Sequence, residues 1–198
     1  DWIVSHHSAG TPAVANMSLG GGASSILDNA VAELVSLGIT VVVAAGNDST
    51  LACEVSPARE PTAITVGATD NTDTRAFFSN YGSCVDIFAP GYDIEGASID
   101  PTYDSVSKSG TSMASPHVAG AAAIALTTFP SASPAQVINL LISDATVGVV
   151  NDAGTGSPNR LLMVAGLNLG VETTPTTMKS INPQRIFDTR NGEGGVPV

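Results

Sequence analysis

Positive charge is scarce in this 198-residue chain: seven Lys and Arg stand against eighteen Asp and Glu, a formal charge of −11. A face that works by neutralising phosphates is therefore excluded, and nucleic acid with it as a partner. Long apolar runs are missing as well. Residues 40–45 and 119–126 form the longest, far short of the roughly 20 residues that a bilayer span needs, so no membrane segment is expected. Cysteine is limited to Cys53 and Cys84, 31 positions apart and in no Cys-x-x-Cys pair. That pattern disfavours a metal site and leaves a disulfide or two buried thiols. Histidine is limited to His6, His7 and His117, which restricts any chemistry that needs an imidazole base.

What is present is enough for one sizeable core: 43% of residues are hydrophobic and only 13% charged, which excludes wholesale disorder. Low lysine content with abundant Ser and Thr suits a secreted bacterial enzyme. No basic stretch followed by an apolar one opens the sequence, which begins at Asp1-Trp2-Ile3; an upstream start is expected, so this carries no weight against secretion.

Periodicity organises the chain as α/β. Residues 14–19 read as a strand ending in Gly20-Gly21-Gly22, after which Ser25 with Asp28 three positions on resembles a capping box. Leu27, Ala30, Val31, Leu34 and Val35 repeat at the spacing of one buried helical face, and Gly38 is a stop signal. Residues 40–45 are continuously apolar, as strands buried on both faces of a parallel sheet are. A βαβ crossover follows, placing the loop after Ala45 at the carboxyl edge of the sheet, where sites gather in open α/β folds. Residues 63–68 and 85–88 read as further strands. An Ala-rich helix over 112–128, small enough on every side to be buried, and a helix opened by the Ser133-Pro134-Ala135-Gln136 capping box complete the pattern, with residues 161–169 as a last core segment. Residues 1–169 thus form the globular unit, residues 170–180 a Thr/Pro linker, and residues 181–198, with Phe187-Asp188-Thr189-Arg190, the truncated start of an accessory domain.

The chemistry is concentrated in Ser109-Gly110-Thr111-Ser112-Met113-Ala114-Ser115-Pro116-His117-Val118-Ala119-Gly120. A serine after a Gly-Thr turn at the start of a long helix has its hydroxyl at the positive end of the dipole, beside backbone N–H groups without helical partners. Pro116 falls in the first turn, where its missing N–H costs no helical bond. A lone serine there is by default an N-cap. The full string, however, resembles the nucleophile motif of the subtilisin-like (subtilase) family at nearly every position. Asn16-Met17-Ser18-Leu19-Gly20-Gly21, Ala44-Ala45-Gly46-Asn47 and Phe78-Ser79-Asn80-Tyr81-Gly82 follow the family's order and are most similar to its proteinase K branch and aqualysin-type bacterial enzymes.

The resemblance implies a parallel-sheet, three-layer fold of which this is the C-terminal portion, and a serine endopeptidase of broad specificity. Ser112 is then the nucleophile, with Asn47 and the Ser112 N–H as oxyanion donors. Ser18, Leu19 and Gly20 would pair with an extended polypeptide substrate. Ala44, Ala45 and Gly46 would wall a primary pocket roomy enough for a large apolar side chain. The branch also implies a structural calcium ion on the carbonyls of Pro61 and Ala63 and the carboxylate of Asp86, a disulfide between Cys53 and Cys84, and a secreted monomer made with an N-terminal propeptide.

A triad also needs a histidine base and an orienting aspartate. His6 and His7 lack the family's Gly-Thr-His-Val-Ala-Gly context and are expected to be solvent-exposed; His117 is expected to be a packing residue. Asp1 belongs to a pattern that matches a later helix end. The acid and base segments are expected upstream, so the chain alone is expected to be inactive. An α/β-hydrolase esterase is excluded because its Gly-x-Ser-x-Gly elbow would need glycine where Ala114 stands. A peptide-binding pseudoprotease that keeps the groove without catalysis stays open.

Overall fold

The computed structural model describes residues 2–99 and 102–164; Asp1 and the linker and accessory-domain readings at 170–180 and 181–198 lie outside the described residues. In chain order the elements are α1 (Trp2–His6), β1 (Ala13–Met17), β2 (Gly21–Gly22), α2 (Ser25–Ser36), β3 (Ile39–Ala44), β4 (Val55–Ser56), β5 (Ile64–Thr69), β6 (Ile87–Pro90), β7 (Ile94–Ala97), β8 (Ser105–Lys108), α3 (Thr111–Thr128), α4 (Pro134–Asp144), β9 (Thr146–Val147) and β10 (Arg160–Leu161). Six strands form one sheet in the order β1-β3-β5-β6-β10-β9. The pairs from β1 to β10 are parallel and only β9 is antiparallel.

Both faces of the sheet are covered, which explains why β3 reads as an unbroken apolar run. Val41 and Val43 join Val31 and Leu34 of α2 in one cluster. Val42, pointing the other way, joins Val66, Ala68, Ala114, Val118 and Ala122 beneath α3, as the twofold alternation of a strand requires. The result is three layers: α2, the sheet, then α3 with α4. Alanines on α3 let this helix lie close across the strands. A third cluster, Ala45, Ala52, Ala58, Val85, Phe88 and Val150, underlies the loops at the carboxyl edge.

Local corrections have identifiable causes. The N-cap of α2 is Ser24, one residue before the expected position, and its hydroxyl accepts from Leu27 N–H. Asp28 is freed from capping and instead accepts from Arg59 Nε at 2.6 Å. Ala30 is exposed on α2 because the buried stripe is narrower than the apolar pattern. The strand expected at 85–88 starts two residues later: Val85 N–H donates to Gly82 O in a turn before the chain enters the ladder. Helix α3 is open along Pro116, His117, Gly120, Ala123, Ile124 and Thr127, because it packs on the sheet with one side only. By contrast α4 has both bonds of its capping box, with Pro134 in the first turn.

The buried Asp28 carboxyl responds to pH in a defined direction. Burial pushes its pKa up, but the Ser56 hydroxyl and the Arg59 guanidinium beside it outweigh that and hold it below the usual value. With the folded pKa depressed, the stabilisation is complete above the unfolded pKa of about 4 and is lost as pH falls through the folded value. Asp28→Asn is expected to cost about 1–2 kcal/mol at pH 7, with the gap to the wild type closing below about pH 4. Thermal melts of both proteins from pH 3 to pH 8 measure this, and a gap constant over that range contradicts it.

Candidate active site

The parallel strands deliver their carboxyl ends to one edge, and the start of α3 reaches the same edge. There Ser18, just after β1, meets Ser112, the second residue of α3. The Ser18 hydroxyl donates to Ser112 O (2.8 Å) and the Ser112 hydroxyl donates, at a long 3.4 Å, to Ser18 O. Behind them Ser115 Oγ donates to Asn16 Oδ1 (2.6 Å) and Asn16 Nδ2 to Ser18 Oγ (3.0 Å), locking the strand end to the helix. The Ser112 N–H lies among the first helical N–H groups, which have no partner in the helix.

The loop after β3 supplies the facing side. Thr111 N–H and its hydroxyl both donate to Asn47 Oδ1 (2.8 and 2.9 Å), and Gly46 N–H donates to Thr111 Oγ1 (3.1 Å). With Oδ1 taken twice, the Asn47 Nδ2 amide remains as a donor. Asn47 and Ser112 line a common cleft of about 670 Å³ with Ser18, Leu19, Gly20, Ala44 and Gly46. Two N–H donors beside a hydroxyl at a helix start can stabilise negative charge on a carbonyl oxygen under attack.

Two residues that sequence reasoning missed hold this geometry. Thr111 is one; the other is Asn80, fully buried. Its Oδ1 accepts from Asp48 N–H (3.0 Å), Thr50 N–H (3.1 Å) and the Thr50 hydroxyl (3.4 Å), and its Nδ2 donates to Ala45 O (2.9 Å). Gly46 has φ +103°, and a Cβ there would sit 2.3 Å from Asn80 Nδ2, so only glycine fits. The signal in the sequence is only the Phe78-Ser79-Asn80-Tyr81-Gly82 string, because the partners of Asn80 lie some thirty residues away.

Of the expected pocket wall, Ala44 and Gly46 line the cleft, whereas Ala45 is buried in the third cluster and offers no side-chain wall. Gly22 and Val55 also line the cleft. Val55 of β4 pairs with Gly22 of β2, and Cys53 is bonded to Cys84 (S–S 2.09 Å, Cα–Cα 5.3 Å).

Among the described residues no histidine hydrogen-bonds to Ser112. His6 is exposed and stacked on Trp2 with centroids 4.3 Å apart. His7 is half-buried rather than exposed, and its Nε2 has no partner among the described residues. His117, expected in packing, is exposed; its Nδ1 donates to Met113 O in its own helix at 2.8 Å.

Pro61 and Asp86 line a separate cleft of about 250 Å³, with Ala63 buried and not part of the lining. Burial drives the Asp86 pKa up to about 6, although Thr65 N–H, donating to Oδ2 at 2.8 Å, and the Arg160 charge pull it down. Among the described residues no three His, Cys, Asp or Glu side chains gather as a metal site. A cation here would need backbone carbonyls beside one carboxylate. That donor chemistry fits a hard cation; among the described residues Asp86 forms no ion pair, although Arg59, paired with Asp28, lines the same cleft. No helix among the described residues is long and apolar enough to cross a membrane.

Comparison with known proteins agrees with this geometry. The profile described as the subtilase family matches residues 3–168. The chain is 56% identical over 162 residues to an extracellular serine proteinase of Thermus sp. (strain Rt41A), covering 82% of this chain and 39% of that protein. It is 52% identical over 162 residues to the alkaline serine exoprotease A of Vibrio alginolyticus, covering 82% of this chain and 29% of that protein. A crystal structure of a cold-adapted subtilisin-like serine proteinase superposes with a TM-score of 0.78 at 47% identity, covering 83% of this chain and 58% of that one. The chain thus spans between 29% and 39% of the length of these curated relatives.

Proposed function

This chain belongs to the subtilase family, and from that premise we propose that it is the nucleophile-bearing part of a secreted serine endopeptidase with broad specificity. The observation that carries the reading is the doubly occupied Asn47 Oδ1, which leaves the amide as a donor beside Ser112. In the reaction Ser112 Oγ attacks the carbonyl carbon of a peptide bond and gives up its proton to a base. The carbonyl electron pair moves to oxygen, where Asn47 Nδ2 and Ser112 N–H hold it. Collapse expels the amine, which takes the proton, and water then releases the acyl group from Ser112. Ser18, Leu19 and Gly20 hold the extended substrate by backbone bonds.

The base is proposed to come from residues outside this chain, since among the described residues no histidine hydrogen-bonds to Ser112, and His6 and His117 turn their Nδ1 to Trp2 O and Met113 O. A fluorophosphonate probe tests the reading: the complete protein is expected to label at Ser112 and Ser112→Ala to stay unlabelled. The second reading, a peptide-binding protein with the same groove, would be established by a complete protein that binds peptides without labelling.

We further propose that Pro61, Ala63 and Asp86 hold a structural calcium ion. Bound there, it supplies counter-charge to a carboxylate that burial otherwise disfavours. Excess chelator is expected to lower the Tm of the complete enzyme by about 5–10 °C. Asp86→Asn should abolish that response; an unchanged melting curve in chelator overturns the assignment.

A further inference from the structure

The hairpin β7–β8 stands apart from the rest of the fold. Its strands pair only with each other, and none of its described residues enters the three buried clusters. Across the ladder Ile94 faces Lys108 and Val106 faces Gly96, so no two β-branched or aromatic side chains meet. Outside the ladder it is tied by exposed side-chain bonds such as that of the Ser105 hydroxyl to Glu95. An isolated two-stranded ribbon is marginal in water, and such units open at free energies well below that of global unfolding. At its tip lies Tyr103, a large aromatic side chain that is 66% exposed, with the exposed Asp104 after it. We propose that the complete protein cuts itself at the Tyr103–Asp104 bond, one copy serving as the substrate of another. The inference rests on the endopeptidase reading for its chemistry.

A bond reaches a groove built for extended chain only if the residues around it can leave their own structure. Outside the hairpin, Ile26 and Phe77 are more exposed than Tyr103, but both are tied to the core. Ile26 lies on α2, whose Val31 and Leu34 are buried. Phe77 lies between Ala76, buried beneath α3, and Phe78, whose carbonyl accepts from Ser49 N–H at 2.8 Å. Around Tyr103, by contrast, β7 and β8 can straighten without exposing any of the three clusters. The base of the hairpin limits the opening, since Asp93 N–H donates to Ser109 Oγ at 2.9 Å and Gly110 N–H to Gly91 O at 2.8 Å. Tyrosine also suits a cleft whose small walls, Ala44 and Gly46, leave room for a large side chain. Ser112 Oγ of the second copy bonds to the Tyr103 carbonyl carbon, the Asp104 amine leaves with the proton, and water frees the Tyr103 carboxylate. The nicked molecule holds together, because Ile87 and Ala89 before the cut share a buried cluster with Ala114 and Val118 after it.

The test uses the complete protein. Its Ser112→Ala variant, which lacks the nucleophile, is incubated with a trace of the unmutated protein, and the products are read by intact mass and N-terminal sequencing. A new N-terminus at Asp104 is expected before any other cut between residues 2 and 164, with the two pieces separating only in denaturant. Adding Tyr103→Asp to the substrate is expected to slow that cut about tenfold or more. Tyr103 is exposed, so this substitution leaves the core intact, and circular dichroism checks that it does. A first cut elsewhere, or a Tyr103→Asp substrate cut after residue 103 at the parental rate, overturns the inference. Fluorophosphonate labelling of the unmutated protein separates the two readings. Labelling with no cut at Tyr103–Asp104 removes self-cleavage and leaves the endopeptidase. No labelling and no cut removes the endopeptidase, and self-cleavage with it.

Discussion

Purified alone, the 198-residue chain is expected to hydrolyse casein about 10⁴- to 10⁶-fold more slowly than the complete enzyme. The cause is the proton on Ser112 Oγ, not the groove. That hydroxyl rests on the Ser18 carbonyl at 3.4 Å, an acceptor that can hold the proton but cannot remove it. His117, five residues along the same helix, is turned to Met113 O, and its backbone is fixed by α3, so it cannot swing over to act as a base. An oxyanion site without a base retains only a small residual acceleration. Casein hydrolysis by the purified chain within a hundredfold of the complete enzyme would contradict this. Circular dichroism of the same sample separates loss of chemistry from loss of fold.

The second large effect concerns Asn47. Replacing it with aspartate retains an oxygen for the Thr111 N–H and hydroxyl, which donate to Oδ1 at 2.8 and 2.9 Å, but removes the Nδ2 donor. In the complete enzyme kcat is expected to fall about 10²- to 10³-fold, with KM changing far less, because the lost bond forms only as charge develops on the substrate oxygen. Asn47→Leu should lose as much activity and also destabilise, since it orphans Thr111 N–H at a cost of about 1–3 kcal/mol. The pair of variants separates the amide's chemistry from its support of the helix start. Asn47→Asp retaining more than a tenth of the parental kcat would remove Asn47 from the oxyanion site.

How legible this was from sequence depended on how local the determinant is. The α4 cap is written in four adjacent residues, Ser133 to Gln136, and its two bonds form as read. β3 announces itself by a run that only a doubly covered strand requires. Ser112 and Asn47 stand out in the sequence because their neighbours form long motifs. By contrast Ser24 and Ser25 are adjacent candidates for one cap, and sequence spacing favoured the wrong one; what decides is Ser56 Oγ, 32 positions away, which accepts from Ser24 N–H at 2.8 Å. Thr111 and Asn80 were not singled out because their importance lies in partners from another strand loop. Ala45 was read as a pocket wall from its place in a motif, but alternation along the chain turns it inward to Phe88 and Val85. The β7–β8 hairpin was also missed: its strands are exposed throughout or nearly so, so no apolar pattern marks them.

Asn80 has one more consequence. A loop that binds an anion usually loses conformational freedom when it does so, and that entropy is subtracted from the rate. Here a side chain with no solvent exposure already fixes the residues on either side of Asn47 through Ala45 O, Asp48 N–H and Thr50 N–H. The ordering is completed during folding, when the core closes over Asn80, and none of it remains to be done when substrate binds. On the role proposed for Asn47, speed at the oxyanion site and integrity of the core are therefore the same property, measured at two different times.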